Sequence, residues 1–168
     1  MLPERVIRAN PPRVEPDGWL LVAEASGQVP DGRVIVPLAA WQSQREALSR
    51  RGDVGVWLAP EDDPEALRRD LSLLSVIAVH FPKAADGRGY STSVLLRRLG
   101  YRGEIRAFGD IGRDHLLLLL RCGFDAFSLP AERDPEAALP ERLHSATDLM
   151  VVQILHHTRQ GTHRQLLL

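Results

Sequence analysis

Across 168 residues the sequence holds one cysteine, Cys122. A disulfide framework within the chain is therefore excluded, and so is an iron–sulfur cluster ligated by the cysteines of one subunit. Charge of one sign is also lacking. Twenty-one Lys and Arg stand against 22 Asp and Glu, for a formal net charge of −1. Broad nucleic-acid binding depends on a basic footprint, so no nucleic-acid partner is expected. Long apolar runs are missing too: the leucines at 116–120 are far too few to cross a bilayer. The segment Met1 to Arg8 has no apolar core of the kind a secretory signal needs. The expectation is a soluble, cytoplasmic protein with no membrane partner.

What is present is ordinary globular composition, 44% hydrophobic and 26% charged, in a chain long enough to bury a core without metal or disulfide staples. Residues 1–33 are rich in Pro, Gly and charge and read as an N-terminal arm or edge strand, with a turn at Pro30-Asp31-Gly32 and one apolar run, Trp19 to Ala23. Residues 34–145 form the regular α/β part, and residues 146–168 a C-terminal tail or helix. Strands are predicted at Val34 to Val36, Val54 to Leu58, Val76 to Phe81, Glu104 to Phe108 and Asp125 to Leu129. Helices are predicted between them: Trp41 to Arg51, a segment opened by Asp63-Pro64 with Leu67, Leu71 and Leu74 on one face, Ser91 to Leu99, Ile111 to Arg121 closed by Gly123, and Asp134 to His144.

The last four strands begin 21 to 28 residues apart, room for one strand, one helix and two short loops. Such alternation implies right-handed crossovers and a parallel sheet. About five βα units are too few for a complete eight-unit barrel of roughly 250 residues. A partial TIM-like barrel and an open doubly wound sheet both fit.

In either architecture ligands collect where strands end and helices begin. The strand ending at Phe81 runs into Pro82-Lys83-Ala84-Ala85-Asp86-Gly87-Arg88-Gly89-Tyr90-Ser91, which concentrates charge around two glycines. Gly87 and Gly89 with Arg88 suit a phosphate or sulfate cradled on backbone N–H groups at a helix start. Equally, they suit a tight strand-to-helix turn with Ser91 as the cap. The segment is neither a P-loop nor a complete dinucleotide fingerprint. Lys83 and Asp86 complete this rim, and Tyr90 either meets a ligand or packs across the loop.

Arg106 is the sharpest single residue, since it stands mid-strand between Ile105 and Ala107 on the face of Phe108 and Asp110. A buried guanidinium needs a partner. One reading is an ion pair with Asp110 or Asp86; the other is a fork clamping an anionic ligand. Arg113 adds a second cation to this edge, and Ser128 marks a weaker third edge. Asp110 and Asp114 are the candidates for acid or base work together with Tyr90, although carboxylates at a helix start are also explained by the helix dipole. Cys122, at a helix end, reads as structural, and His80 as a core or barrel-interior group. His156, His157 and His163 lack supporting ligands and read as a solvated tail, so no metal is assigned. No motif encodes a cofactor.

These residues resemble a known family. Phe81-Pro82-Lys83, Asp86-Gly87-Arg88-Gly89-Tyr90-Ser91, Leu95-Leu96-Arg97, Leu99-Gly100-Tyr101, Arg106-Ala107, Gly109-Asp110, Arg113-Asp114 and Arg121-Cys122-Gly123-Phe124-Asp125 are similar to a bacterial family catalogued as domain of unknown function 934. Its members are often labelled as oxidoreductases of sulfite reduction. Pro37 to Trp41 and Val54 to Leu58 extend the resemblance, which covers roughly residues 34–130. It carries over Lys83, Asp86, Arg88, Tyr90, Arg106, Asp110, Asp114 and Cys122 as signatures without assigned roles. The chain departs from the pattern at Ala84-Ala85, at His115 where an amide is expected, and after Ser145.

The resemblance implies a link to assimilatory sulfite and sulfate reduction. One expectation is an oxidoreductase that binds sulfite or a sulfated or phosphorylated metabolite through Lys83, Arg88 and Arg106, with a borrowed cofactor for any redox step. The other is a non-catalytic accessory or regulatory partner of a sulfite reductase or another sulfur-assimilation protein. A homo-oligomer is compatible with both.

Overall fold

The structure is a computed structural model, and it describes residues 5–24, 27–83 and 85–139. Eight strands form one strongly curled, mixed sheet, a half-barrel, in the order β2-β1-β8-β7-β6-β5-β4-β3. The strands are β1 (Arg5–Ala9), β2 (Pro12–Pro16), β3 (Leu20–Leu21), β4 (Val34–Pro37), β5 (Val54–Leu58), β6 (Val76–Phe81), β7 (Glu104–Gly109) and β8 (Ala126–Ser128). From β3 to β8 neighbours run parallel, whereas β1 is antiparallel to both β2 and β8.

The expectation of a purely parallel sheet of five βα units is corrected here. The proline- and charge-rich N-terminal segment supplies three strands. Two of them, β2 and β3, are edges, as expected of such a segment. The third, β1, is interior, and its Val6, Ile7 and Ala9 are buried. Alternation along Arg5–Ala9 is too brief to be told from a loop by pattern alone.

All helical elements pack on one face. They are α1 (Leu38–Ser43), α2 (Arg45–Leu48), α3 (Arg88–Arg98), α4 (Leu116–Arg121) and α5 (Pro135–Ala138). Leu48, Leu67, Leu96, Leu116 and Leu119 join Val36, Val56, Ile77, Val79, Ile105, Ala107 and Phe127 in one continuous core. The other face carries a smaller apolar cluster, Trp19, Ile35, Val76, Ala78 and Phe108, with Leu21 and Trp57 beside it. Among the described residues no helix covers this inner face. The chain between β2 and β3 crosses it instead, so the described sheet is a half-barrel with its helices on one side. Gly55 allows tight packing there: a Cβ would lie 2.2 Å from Val76 Cγ1 and 2.8 Å from the Val76 carbonyl oxygen.

Several helices are shorter than their apolar periodicity predicts. Pro64–Leu67 and Leu71–Leu73 form two 3₁₀ turns instead of one helix. The break comes at Asp70, whose carboxylate turns inward to accept Trp41 Nε1–H at 2.8 Å and Arg45 Nη2–H at 2.5 Å. The segment from Ile111 begins as a 3₁₀ turn, Arg113–His115, before α4. Conversely, α3 starts at Arg88, three residues before Ser91, with Gly87 at the N-cap position and Asp86 Oδ1 just ahead of it accepting the Arg88 backbone N–H at 3.1 Å. Gly123 ends α4 with φ +101°, as a glycine after a helix should. The predicted extension of α5 to His144, the tail at 146–168 and its three histidines lie outside the described residues. Among those described, no helix is long and apolar enough to cross a membrane.

Candidate functional site

Polar groups gather in two places: the loops beyond the C-terminal ends of β6 and β7, and the inner face of the sheet, where Glu104 opens β7 and Arg106 stands two residues on. The loop after β6 places Lys83, Asp86 and Arg88 around a surface hollow of about 410 Å³ together with Pro82 and Ala85. Within it Arg88 is held by Asp86, Nη2 to Oδ2 at 2.6 Å and Nε to Oδ1 at 3.0 Å. That guanidinium lowers the Asp86 carboxyl to a pKa of about 2. The Arg88 backbone N–H is also taken by Asp86. Lys83 is exposed.

The two glycines differ. Gly87 faces open space, whereas a Cβ on Gly89 would stand 2.5 Å from the Phe81 ring, so packing alone explains Gly89. Tyr90 packs edge-on against Phe81, centroids 5.2 Å apart, and burial is the main cause raising its hydroxyl pKa. Arg113 and Asp114 are exposed on the turn after β7. Asp110 receives Arg133 Nη2–H at 3.2 Å. Cys122 is half-buried, and burial pushes its thiol up, away from the reactive thiolate.

The inner face is built by register. Trp57, Ala78, Arg106 and Ala126 form one row across β5–β8, and His80, Phe108 and Ser128 form the next row toward the strand ends. His80 stacks on Phe108 at 4.9 Å, and Trp57 meets both rings edge-on at 6.1 Å. Trp57 Nε1 donates to the Val22 carbonyl at 2.8 Å, which ties this trio to the crossing segment. Burial pushes the half-buried His80 imidazole below its ordinary pKa of 6.5, with Glu61 pulling weakly the other way. The ring is therefore uncharged at neutral pH.

Arg106 is fully buried on this face. Neither Asp110 nor Asp86 is its partner. Nη1 donates to Asp17 Oδ2 at 2.5 Å, and Nε to Glu104 Oε1 at 2.8 Å. Glu104 also holds Arg8, which reaches Glu15 at 2.6 Å. The ion-pair reading of Arg106 is thus what the fold realises, through an aspartate far upstream. One part of the guanidinium is left over. Among the described residues Arg106 Nη2 and Ser128 Oγ are buried with no hydrogen-bond partner. Such groups are costly to leave unmade. They occupy diagonal positions on adjacent strands, Ser128 standing opposite Phe108, two residues beyond Arg106.

The profile of a family described as bacterial protein of unknown function, DUF934, matches residues 55–149, more than half of the chain. The chain belongs to the DUF934 family. No curated protein matches it. The DUF934 match begins at Gly55 and includes His80, Arg106, Phe108 and Ser128 but not Asp17. One of the two Arg106 counter-ions, Asp17, therefore comes from a strand connection outside the matched region, while the other, Glu104, lies within it. Arg106 was conspicuous in the sequence as a charge among apolar residues. Asp17 carried no such signal, and Trp57 was legible only as a strand residue. Among the described residues no cluster of His, Cys, Asp or Glu has the geometry to hold a metal.

Proposed function

We propose that this DUF934 protein binds a small oxygen-bearing ligand on the inner face of its half-barrel, beneath Trp57, His80 and Phe108. The observation that carries the reading is the pair of buried donors without partners, Arg106 Nη2 and Ser128 Oγ. An oxoanion is the ligand class these donors suit, since a guanidinium N–H and a hydroxyl both donate to oxygen. The label of sulfite reduction often given to members of this family of unknown function makes sulfite, or a sulfated or phosphorylated metabolite, the first choice. Lys83 and Arg113, at the ends of β6 and β7, would attract such an anion to the rim. A redox step would need a bound cofactor to carry the electrons.

Binding of sulfite and sulfate, followed by amide chemical shifts in β6–β8, tests this reading. Ser128→Ala is expected to weaken binding about tenfold or more, the worth of a hydrogen bond to a charged group, while the fold persists. Shifts confined to the Lys83–Arg88 loop, or no binding, would refute the inner-face site.

A second reading, a non-catalytic partner of a sulfite reductase, is favoured by one observation. Arg88 and Arg106 are already paired with Asp86 and with Asp17 and Glu104. An absorption spectrum of the purified protein separates the two: a bound flavin, nicotinamide or haem supports the enzyme. A colourless protein that captures a sulfite reductase and turns over nothing supports the partner.

A further inference from the structure

We propose that residues 17–22 form a strap that closes the inner-face site, and that a singly charged oxoanion opens it by replacing the Asp17 carboxylate on Arg106. The inference rests on the inner-face reading above and adds to it a ligand charge and a moving part.

The donors of the site are enclosed. The Arg106 and Asp17 side chains are 0% and 1% exposed, and Ser128 is 1% exposed. A ligand reaches such groups only when something over them moves. On the far side, the sheet and its helices share one packed core. On the inner side, the described chain at Arg106 is the link that leaves β2 at Pro16 and joins β3 at Leu20. Its Trp19 is buried in the same cluster as Phe108, the residue that stands opposite Ser128. Lifting Asp17 and Trp19 together therefore clears both Arg106 and the Phe108 ring beside Ser128.

Few contacts hold this segment down. β3 is a two-residue edge with β4 as its one strand neighbour. The Leu20 N–H donates to the Arg33 carbonyl and the Val22 N–H to the Ile35 carbonyl, both at 2.9 Å. Trp57 Nε1–H holds the Val22 carbonyl, and the exposed Arg33 lies over the Trp19 ring at 4.5 Å. An edge with so few backbone bonds belongs to the part of a fold that opens locally. Its strongest tie is the Asp17–Arg106 pair.

Charge decides what breaks that tie. Lifted without a ligand, the strap leaves buried Arg106 with Glu104 alone, which Arg8 shares. An under-compensated buried charge is costly, so the empty strap stays shut. A ligand with one negative charge replaces what Asp17 withdraws: one carboxylate charge goes to water, one ligand charge arrives, and no proton moves. Nη1, given up by Asp17, then joins Nη2 and Ser128 Oγ in holding the ligand. A sulfate monoester carries this single charge. A dianion would add one more to a region with little water to screen it. Because the anion binds the open form alone, it shifts the population toward that form.

Methyl sulfate, a monoanion that does not titrate near neutral pH, is the probe. Calorimetry on the full chain measures its binding, and hydrogen exchange reads the strap. Protection of the amides at 17–22 is expected to fall about tenfold or more at saturation, while β6 and β7 keep theirs. Trp19 should become open to acrylamide quenching, a change that disappears in Trp19→Phe although that variant still binds. Arg33→Gln, which removes the cation over Trp19, should tighten binding about two- to fivefold, the worth of one exposed cation–π contact. Methyl sulfate binding with the strap's protection unchanged or raised would overturn the strap and leave the inner-face site standing. No binding of methyl sulfate while sulfite shifts the β6–β8 amides would overturn the exchange alone. Failure of both anions would overturn the site as well.

Discussion

The Asp17 carboxylate and the Arg106 guanidinium, 89 residues apart in sequence, meet at 2.5 Å inside the half-barrel with 1% and 0% of their side chains exposed. Breaking a buried pair by removing one partner typically costs about 3–5 kcal/mol, because the survivor keeps its charge and loses its compensation. Asp17→Ala is expected to lose stability in this range. The double variant Asp17→Ala with Arg106→Met should recover part of the loss, since it removes a buried charge left with Glu104 as its one remaining partner, and Glu104 keeps Arg8. Urea unfolding of the two singles and the double measures the coupling, and additive effects would contradict it.

Asp86 and Arg88 offer a local test at the surface. The Asp86 carboxyl, lowered from 3.8 to about 2 chiefly by its hydrogen bond to Arg88, should return toward 3.8 in Arg88→Ala. Carbon-detected NMR titration of the side chain reads this directly. The sign is fixed: the folded pKa is depressed, so the favourable pairing is fully present above about pH 3.8 and is lost as pH falls through about 2.

Asp70 behaves alike in a more covered setting. Hydrogen bonding to Arg45 is the main cause lowering its carboxyl, with Trp41 contributing. Its contribution to stability is therefore present above the unfolded value of about 3.8 and lost as pH falls through the lower folded value. Asp70→Asn should cost about 1–3 kcal/mol at neutral pH and flatten the acid limb of the stability curve. Trp41 fluorescence during urea unfolding at several pH values checks both.

Gly87, just before α3, and Gly89, in its first turn, should part company. Gly89→Ala drives a methyl into the Phe81 ring, and overpacking of this kind costs about 1–3 kcal/mol. Gly87 has a helical φ of −67° and open space around its Cβ position. Gly87→Ala should be neutral or stabilise by about 0.4–1 kcal/mol through the unfolded chain. Thermal melts of both variants decide the point, and a destabilised Gly87→Ala would mean that the backbone there meets something the fold alone does not require.

Much of the parallel sheet was legible because its strands are buried on both faces and read as apolar runs. Val54–Leu58 and Val76–Phe81 fall where periodicity put them. Helix bounds were less legible, since single polar contacts decided them: Asp86 pulls the start of α3 forward, and Asp70 breaks the segment after Pro64. Arg106 announced itself as a charge in an apolar strand. Its partner could not be read, because an ion pair spanning 89 residues leaves no trace in local pattern. The same holds for β1, whose place beside β8 depends on a sheet curled far enough to receive it.

That pairing also sets an order of events. Ile7 and Arg8 stand opposite Phe127 and Ala126 in antiparallel register, and the Ala9 N–H donates to the Asp125 carbonyl at 2.8 Å, so the first described strand closes against the last described one. A chain emerging from the ribosome can build the β1–β2 hairpin at once, and it can add each parallel strand as the crossover helix behind it appears. The seam between β1 and β8 must wait until nearly all of the sheet has been synthesised. Contacts of such separation are the slow ones in folding. Until then the open flank of β1 presents free backbone groups, and the Arg8–Glu15 and Arg13–Glu15 pairs place charge along the waiting hairpin. The last of the described strands is thus the one that closes the place of the first.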